Sequence, residues 1–229
     1  NTVKHTYENI LEVKECVINI VNYDMVQQVS LSSTEYQKDV NEFEKAGLTM
    51  LASETVRPPR VAESPVQLEC VVNDVIELGQ NGGAGNLILA EVKMIHIDEN
   101  ILDEDGKIDQ EKIDLVARLG GDWYCRVTKD NLFKVPKPLR TLSIGVDALP
   151  QSVRRSKILS GNDLGLLGNV ERLPVEKEIA LIRQFPEVKN IIEHGKNVAI
   201  ELHLLAHRLL QDEKINEALG IVLLADEIG

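Results

Sequence analysis

Two long segments with strand character, joined by a glycine-rich loop, place the strongest constraint on the fold of this chain. Residues 66–78 and 87–97 are rich in β-branched and other apolar side chains. Residues 79–86 between them are mostly glycine and asparagine, which favour turns. A long antiparallel hairpin is therefore predicted. Since the loop joins two strands, it lacks the helix N-terminus on which a dinucleotide-binding loop depends.

The segments on either side of this hairpin mix helix and strand patterns. Before it, the spacing of apolar residues predicts a helix, a buried strand and two short helices, at residues 4–15, 16–21, 24–29 and 41–46. Gly47 is expected to end the last of these helices. After the hairpin, the pattern predicts a helix at 109–118 and a short strand at 123–127.

From about Gly145 the strand patterns disappear and helix patterns replace them. Four helices are predicted, at residues 175–184, 186–193, 196–210 and 213–225, after an irregular loop that contains Gly161, Gly165 and Gly168. The apolar side chains of the third helix fall on one narrow face: Val198, Leu202, Leu205 and Leu209. That face is expected to pack on the preceding domain or on a second subunit. The chain therefore divides into a mixed domain, 1–144, and a helical extension, 145–229.

The balance of charge and composition excludes some classes of function. The formal charge of −12 would repel a nucleic-acid backbone, and eight aromatic residues offer little stacking surface. The longest apolar run is far shorter than the ~20 residues that span a bilayer. Neither a nucleic acid nor a membrane is expected as a partner. Cys16, Cys70 and Cys125 are odd in number and far apart in the sequence, which predicts buried, reduced thiols and a cytoplasmic location.

Two patterns invite a metal hypothesis, and neither completes a site. His203 and His207 stand four residues apart on a predicted helix, a spacing that zinc ligands use, but no third ligand follows at a recognisable distance. They are expected to be solvated or to lie at an interface. Residues 103–109 imitate part of a calcium loop, but its first and last ligand positions would fall on Ile101 and Lys112. That run is interpreted as a turn, and no metal is expected.

The start of the first predicted helix carries a candidate anion site. Thr2, Lys4 and Thr6 surround a position where unpaired backbone N–H groups and the helix dipole favour negative charge. Two hydroxyls and an ammonium group would suit a phosphate. Spacing alone favours a simpler interpretation, in which Thr2 or Thr6 caps the helix and Lys4 is a solvated cation.

Six stretches of the chain match one known pattern in the same order. They are NTVKHTYENI at 1–10, CVINIV at 16–21, NEFEKAGLT at 41–49, ESPVQLEC at 63–70, AEV and HID within 90–98, and RLGGDWY at 118–124. Together they resemble the flavin reductase-like family of FMN-binding split barrels over roughly residues 1–140. The resemblance implies a mixed α/β fold that is mainly antiparallel β, an FMN-binding split β-barrel with a C-terminal helical extension.

The resemblance also implies a homodimer that holds FMN near the subunit interface. The FMN-binding residues would be Thr2, Lys4, Thr6, Lys38, Asn86, Trp123 and Tyr124. The first three correspond to the part of the family pattern that binds the FMN phosphate, so the resemblance favours a phosphate site over a simple helix cap. Lys38 corresponds to a second cation of the family pattern. Around that lysine, Gln37 and Asp39 depart from the family pattern. Asn86 would face the flavin or the nicotinamide, and the two aromatics would pack beside the flavin ring or, alternatively, in the core.

In such a protein the flavin carries the hydride and electron chemistry, so no catalytic acid or base need appear. The leading hypothesis is an FMN-dependent NAD(P)H:flavin oxidoreductase that passes electrons from NADH or NADPH through FMN to a flavin or another acceptor. One alternative is a flavin-binding electron-transfer protein that docks to a protein partner without nicotinamide turnover. Another is an interaction protein without a cofactor. Because the family's opening strands would precede Asn1, the chain is expected to begin inside a longer protein.

Overall fold

The computed structural model describes residues 4–79, 84–135, 137 and 142–229. Contacts divide the chain into two units, Asn1–Phe133 and Lys134–Gly229. The second unit carries equal numbers of acidic and basic side chains, so the whole formal charge of −12 belongs to the first. The boundary predicted from the sequence, after residue 144, lies a short way beyond this division.

The first unit combines short helices with antiparallel strands. Its elements are, in chain order, α1 (His5–Val13), β1 (Glu15–Asn19), α2 (Val26–Ser32), α3 (Glu42–Ala46), β2 (Met50–Leu51), β3 (Arg60–Val61), β4 (Val66–Glu77), β5 (Asn86–Ile97), β6 (Val116–Gly120) and β7 (Trp123–Arg126). The strands form a three-stranded sheet of order β1-β4-β5 and two two-stranded sheets, β2-β3 and β6-β7. The predicted mixed α/β class with antiparallel sheets is confirmed. Within the described residues these sheets do not close into a barrel.

The hairpin of β4 and β5 confirms the prediction from the two apolar segments. The strands pair along their whole length, and the register shifts twice, just after Glu69 and just before Asp74. Such bulges increase the local twist of a sheet. β1 pairs with the other edge of β4, where Cys16 stands directly opposite Cys70.

The helices of the first unit follow the sequence pattern, with differences at their ends. α1 stops at Val13 because Lys14 adopts a left-handed conformation with φ 53°. α2 begins two residues later than predicted, and no side chain caps it. α3 agrees with the prediction: the Asn41 side chain accepts a bond from the Phe43 N–H, and Gly47 ends the helix with φ 65°.

The helix predicted at residues 109–118 is wrong. The Asp109 side chain accepts bonds from the N–H groups of Glu111 and Lys112 and so forms a turn. Asp114 then takes a left-handed conformation, with φ 51°, which interrupts any helical path. The residues that follow pair with β7 as β6. Asp114 instead anchors this hairpin, because its carboxylate accepts two bonds of 2.7 Å from Arg126.

The second unit is built from α4 (Gln151–Arg154), α5 (Gly161–Gly168), α6 (Glu176–Ile182), α7 (Pro186–His194), α8 (Val198–Gln211) and α9 (Ile215–Ile228). The four predicted helices are confirmed as α6 to α9. The predicted irregular loop is wrong, because its three glycines belong to α5. Ser160 and Asp163 exchange hydrogen bonds in a capping box that stabilises the first turn of α5. No helix in the described part of the chain combines the length and apolar character needed to cross a bilayer.

The apolar face of α8 packs inside its own unit. Leu202 and Leu205 are buried in a core that also contains Leu219 and Val222 of α9. The expectation that this face would cover the preceding domain or a second subunit is therefore wrong. The amphipathic pattern correctly indicated that this face is buried. It could not indicate that the covering element is α9, the next helix of the same chain.

Candidate functional site

A polar pocket lies at the start of α1, where the sequence placed a candidate anion site. Its volume is about 520 Å³, and it lies between the first turn of α1 and the segment that follows α2. The pocket is lined by Lys4, His5, Thr6, Ser32, Ser33, Thr34, Glu35, Tyr36 and Glu42. The lining therefore combines hydroxyl, imidazole and ammonium groups with two carboxylates.

The N-terminus of α1 contributes unpaired backbone donors to this region. Lys4 is the N-cap residue, and no side chain accepts a capping bond there. The Tyr7 N–H bonds to the Lys4 carbonyl at 2.9 Å, whereas the N–H groups of His5 and Thr6 have no helical acceptor. The alternative of capping by Thr6 is wrong, because Thr6 stands inside the helix. Thr2 lies outside the described residues.

Lys4 has an ion partner inside the same pocket. Its Nζ lies 3.6 Å from Oε1 of Glu35, and each side chain is 67% exposed. Water therefore weakens the pair. Lys4 is well solvated, as the simpler interpretation expects, and it also has a loosely held ion partner.

The hydroxyl groups of the pocket differ in availability. Those of Ser32 and Ser33 donate to the Val29 carbonyl at 2.8 and 3.1 Å. Within the described residues, the hydroxyls of Thr6, Thr34 and Tyr36 have no hydrogen-bond partner. These three hydroxyls are thus free to meet a ligand.

This donor set fits the phosphate of FMN. A phosphate could accept bonds from the first N–H groups of α1 and from the free hydroxyls, and it could replace Glu35 as the partner of Lys4. The carboxylates of Glu35 and Glu42 oppose its approach by charge repulsion. The pocket therefore suits an anion, and Glu35 competes with that anion.

Lys38 and Asn86 lie beside α1 but do not line the pocket. The Lys38 Nζ is 3.1 Å from Oε2 of Glu8 on α1. Asn86 begins β5 opposite Glu77, whose carboxylate accepts a 2.7 Å bond from the Tyr7 hydroxyl. This bond raises the pKa of Tyr7 and joins the loop end of the hairpin to α1. α1 thus brings together Lys4, Thr6 and Lys38, and it is joined to Asn86 through the strand partner Glu77.

Trp123 and Tyr124 stand on β7 and do not line the pocket. Trp123 is 76% exposed and Tyr124 is 43% exposed. The alternative that both are core aromatics is therefore wrong. As consecutive residues of a strand they point to opposite faces, so only one of them can lie against a given flavin ring.

A buried carboxylate on β4 escaped the sequence analysis. Glu69 has no exposed surface. It accepts bonds from the N–H groups of Glu54 and Thr55 and from the Thr55 hydroxyl, and it lies 2.7 Å from Nε2 of His96. Burial alone would raise the pKa of Glu69, but these hydrogen bonds outweigh burial and lower it to about 2. The available signal was a charged residue inside an apolar strand.

The two helical histidines have partners other than a metal. Nδ1 of the buried His203 lies 2.8 Å from Oγ of Ser156, and Nδ1 of His207 lies 2.9 Å from Oδ2 of Asp163. The expectation of solvated or interfacial histidines is wrong for His203, because α8 places it in the core. Among the residues with described positions, no three metal-ligating side chains come together.

The three cysteines differ in exposure. Cys70 is buried, Cys16 is partly buried and Cys125 is exposed. The prediction of buried thiols is therefore wrong for Cys125. Cys16 and Cys70 are distant in the sequence but stand opposite each other on neighbouring strands.

A model of the flavin reductase like domain matches residues 1–112. The match contains α1, the three-stranded sheet and the whole candidate pocket. The chain belongs to the flavin reductase-like family. The resemblance that the sequence stretches indicated is therefore confirmed.

Three relatives of this flavin reductase-like chain are 27–34% identical to it. Nitrilotriacetate monooxygenase component B from Bacillus cereus is 27% identical, with a TM-score of 0.53 over 58% of this chain and 65% of its own. A Shewanella frigidimarina NCIMB 400 protein, assigned as a flavin reductase with a split barrel domain, is 32% identical, with a TM-score of 0.52 over the same shares. An uncharacterized Aquifex aeolicus (strain VF5) protein is 34% identical over 135 residues, 59% of this chain and 67% of that protein. The chain spans 59–67% of the lengths of the first curated relatives that it matches.

Proposed function

We propose that this protein is an FMN-dependent NAD(P)H:flavin oxidoreductase, and that its first unit forms part of an FMN-binding split barrel. The observation that carries the proposal is the pocket at the N-terminus of α1, which lies within the family match and offers helix N–H groups, hydroxyls and Lys4 to a phosphate. The two solved relatives support it, because one is a monooxygenase component and the other has the split barrel domain of a flavin reductase.

FMN, when bound, supplies the hydride and electron chemistry, and the protein's residues bind and orient it. Lys4 and the first N–H groups of α1 hold the phosphate, and the hydroxyls of Thr6 and Thr2 add donors. Lys38, beside the same helix, supplies a second positive charge. Asn86, at the loop end of the hairpin, offers an amide to the flavin or to the nicotinamide of NADH or NADPH. One ring of the Trp123-Tyr124 pair covers a face of the flavin.

We further propose a homodimer. β5 carries exposed large apolar side chains, divided between its two faces: Leu87, Ile88, Leu89, Val92, Ile95 and Ile97. A second subunit would cover such a surface, and a specific interface of this kind buries about 1,000 Å² or more in total. Light scattering at micromolar concentration tests this proposal: a dimer is expected, and a monomer would contradict it.

The test of function begins with the small molecule that the purified protein carries. Denaturation should release FMN, identified by its mass, and steady-state oxidation of NADH or NADPH should depend on added free flavin. Absence of FMN from the denatured protein, together with no FMN binding in a titration, would overturn the proposal. Bound FMN without nicotinamide oxidation would favour the flavin-binding electron-transfer protein that docks to a protein partner.

A further inference from the structure

We propose that Cys16 and Cys70 form a reversible intramolecular disulfide, closed by a peroxide and opened by a dithiol reductant. The two residues belong to β1 and β4 and are register partners in the antiparallel ladder. Register partners project from the same face of a sheet and lie next to each other. This site depends on neither flavin nor nicotinamide, so it does not rest on the proposed function.

The Cα spacing of the two cysteines falls within the range found in disulfides. The Val72 N–H donates to the Lys14 carbonyl at 2.9 Å, two positions along the same ladder. Because hydrogen-bonded pairs alternate along antiparallel strands, Cys16 and Cys70 form such a pair, with Cα atoms about 5.5 Å apart. Disulfides connect Cα atoms that are about 4.4–6.8 Å apart. The Cβ atoms of a hydrogen-bonded pair are about 5.5 Å apart, whereas a disulfide needs about 3.5–4.5 Å. The strands must therefore approach by about 1 Å, and the resulting strain makes the disulfide easier to reduce.

The two thiols are close enough to influence each other's protonation. Besides burial, the neighbouring Cys70 raises the pKa of Cys16, and the neighbouring Cys16 acts to lower that of Cys70. The Cys70 S–H donates in turn to the Leu68 carbonyl at 3.4 Å. Burial is the larger influence and raises the pKa of both thiols, so the resting pair is a protonated dithiol.

Exposure sets the order of the reaction. Cys70 has no exposed surface, whereas Cys16 is only partly buried. Peroxide reaches Cys16 first and converts its thiol to a sulfenic acid, with release of one water. The Cys70 sulfur then attacks the Cys16 sulfur: the S–S bond forms, the S–O bond breaks, and the hydroxyl leaves as water with the Cys70 proton. The two thiols lose two electrons in total, and the peroxide gains them.

The disulfide would close a loop that carries one wall of the candidate pocket. The segment between the two cysteines contains α2, α3 and the pocket residues Ser32, Ser33, Thr34, Glu35, Tyr36 and Glu42. A cross-link at its base limits the conformations of this segment in the unfolded chain. The oxidised protein is therefore expected to melt at a higher temperature than the reduced protein, and a dithiol reductant should reverse the shift.

Peptide mapping of the full chain tests the proposal. Trypsin places Cys16, Cys70 and Cys125 in separate peptides, since lysine or arginine residues separate them. After treatment with hydrogen peroxide and alkylation under denaturing conditions, the Cys16 and Cys70 peptides should be joined, with loss of two hydrogen atoms. Cys125, which is exposed and on another sheet, serves as the internal reference for oxidant access.

Variants separate the proposed pair from general oxidation. Cys125→Ser should leave the link and the thermal shift unchanged, whereas Cys16→Ser should remove both and leave Cys70 as a free thiol. The proposal fails if Cys16 and Cys70 are still alkylated at peroxide levels that oxidise Cys125. It also fails if Cys16 accumulates as a sulfenic or sulfinic acid beside a free Cys70, or if the link joins two chains. The mapping of the unsubstituted chain decides these outcomes even if a variant does not fold.

Discussion

The ammonium group of Lys4 lies 3.6 Å from the carboxylate of Glu35, and both groups line the same polar pocket. Two-thirds of each side chain is exposed, so the ion pair contributes little to stability. The backbone donors at the start of α1 are meanwhile left without helical acceptors. The site is therefore open to an anion that can exchange places with one weakly held carboxylate.

Replacement of Lys4 by alanine should weaken FMN binding without affecting riboflavin. A charge-assisted hydrogen bond contributes about 1.5–3 kcal/mol, so Lys4→Ala should reduce the affinity for FMN by about tenfold to a hundredfold. Riboflavin lacks the phosphate, and its affinity should change little. Fluorescence titration with both ligands measures the contrast.

Lys45 provides a matched control for this change. It is an exposed lysine of α3 that does not line the pocket, and Lys45→Ala should leave both affinities unchanged. Equal weakening of FMN and riboflavin by Lys4→Ala would indicate general damage to the fold. Intact FMN affinity would place the phosphate site elsewhere.

Removal of the competing carboxylate should have the opposite effect. Glu35→Gln keeps the size of the side chain and frees Lys4, and weak exposed pairs of this kind are worth up to about 1 kcal/mol. FMN should therefore bind about two- to fivefold more tightly to this variant. Glu44→Gln, on the exposed surface of α3, is the control for net charge. If both variants tighten FMN binding equally, the cause is the overall charge of −12 and not the Lys4 partner.

Local sequence patterns correctly predicted the elements that are fixed by residues within the element itself. Asn41 and Gly47 supply both ends of α3, and two segments rich in β-branched residues, joined by a glycine-rich loop, define the β4-β5 hairpin. The helix predicted at 109–118 failed because the side chain of Asp109 and the left-handed backbone of Asp114 build a turn there. The spacing of apolar residues reveals neither the hydrogen bonds of the Asp109 side chain nor the backbone conformation of Asp114.

The candidate site was predicted in part, for the same physical reason. Lys4 and Thr6 were candidates because a helix start and an anion-binding composition are both local features, and the family resemblance, rather than spacing, favoured a phosphate there. Glu35, which competes for that anion, arrives from a segment that only the tertiary fold brings to α1. The pairing of Cys16 with Cys70 likewise depends on the register between β1 and β4, which no single-strand pattern encodes.

The buried carboxylate of Glu69 should stabilise the fold in a pH-dependent way. Its pKa lies at about 2, below the usual 4.5, so its charged form is favoured by folding. The stabilisation is fully present above the unfolded pKa and is lost as the pH falls from about 4.5 toward 2. Glu69→Gln leaves buried donors mismatched and should lower the free energy of unfolding by about 1–3 kcal/mol at neutral pH.

Urea denaturation at several pH values checks this prediction. The stability difference between the unsubstituted chain and Glu69→Gln should shrink as the solution is acidified through that range. Glu91→Gln, on the exposed side of β5, should stay within about 0.5 kcal/mol of the unsubstituted chain. A difference that is constant with pH would show that folding does not lower the pKa of Glu69.

His203 should destabilise the helical unit when it takes up a proton. The Ser156 hydroxyl accepts bonds from the N–H groups of Ile158 and Leu159, so its own proton is directed to Nδ1 of His203. The ring proton then resides on Nε2, a buried atom without a partner among the described residues. Burial lowers the pKa of His203 below 6.5, against a smaller opposing influence from Asp226. A second ring proton would therefore give His203 a positive charge in a buried position, where its Nε2–H has no acceptor among the described residues.

The sign of the effect follows from this lowered pKa. Below about pH 6.5 the unfolded chain binds a proton that the folded chain resists, so the stability contributed by neutral His203 falls by up to about 1.4 kcal/mol per pH unit. His203→Gln has no such proton and should lose less stability between about pH 7 and pH 5. His194→Gln, at the exposed end of α7, should follow the unsubstituted chain. If all three proteins lose stability in parallel, folding does not change the pKa of His203, and the prediction is wrong.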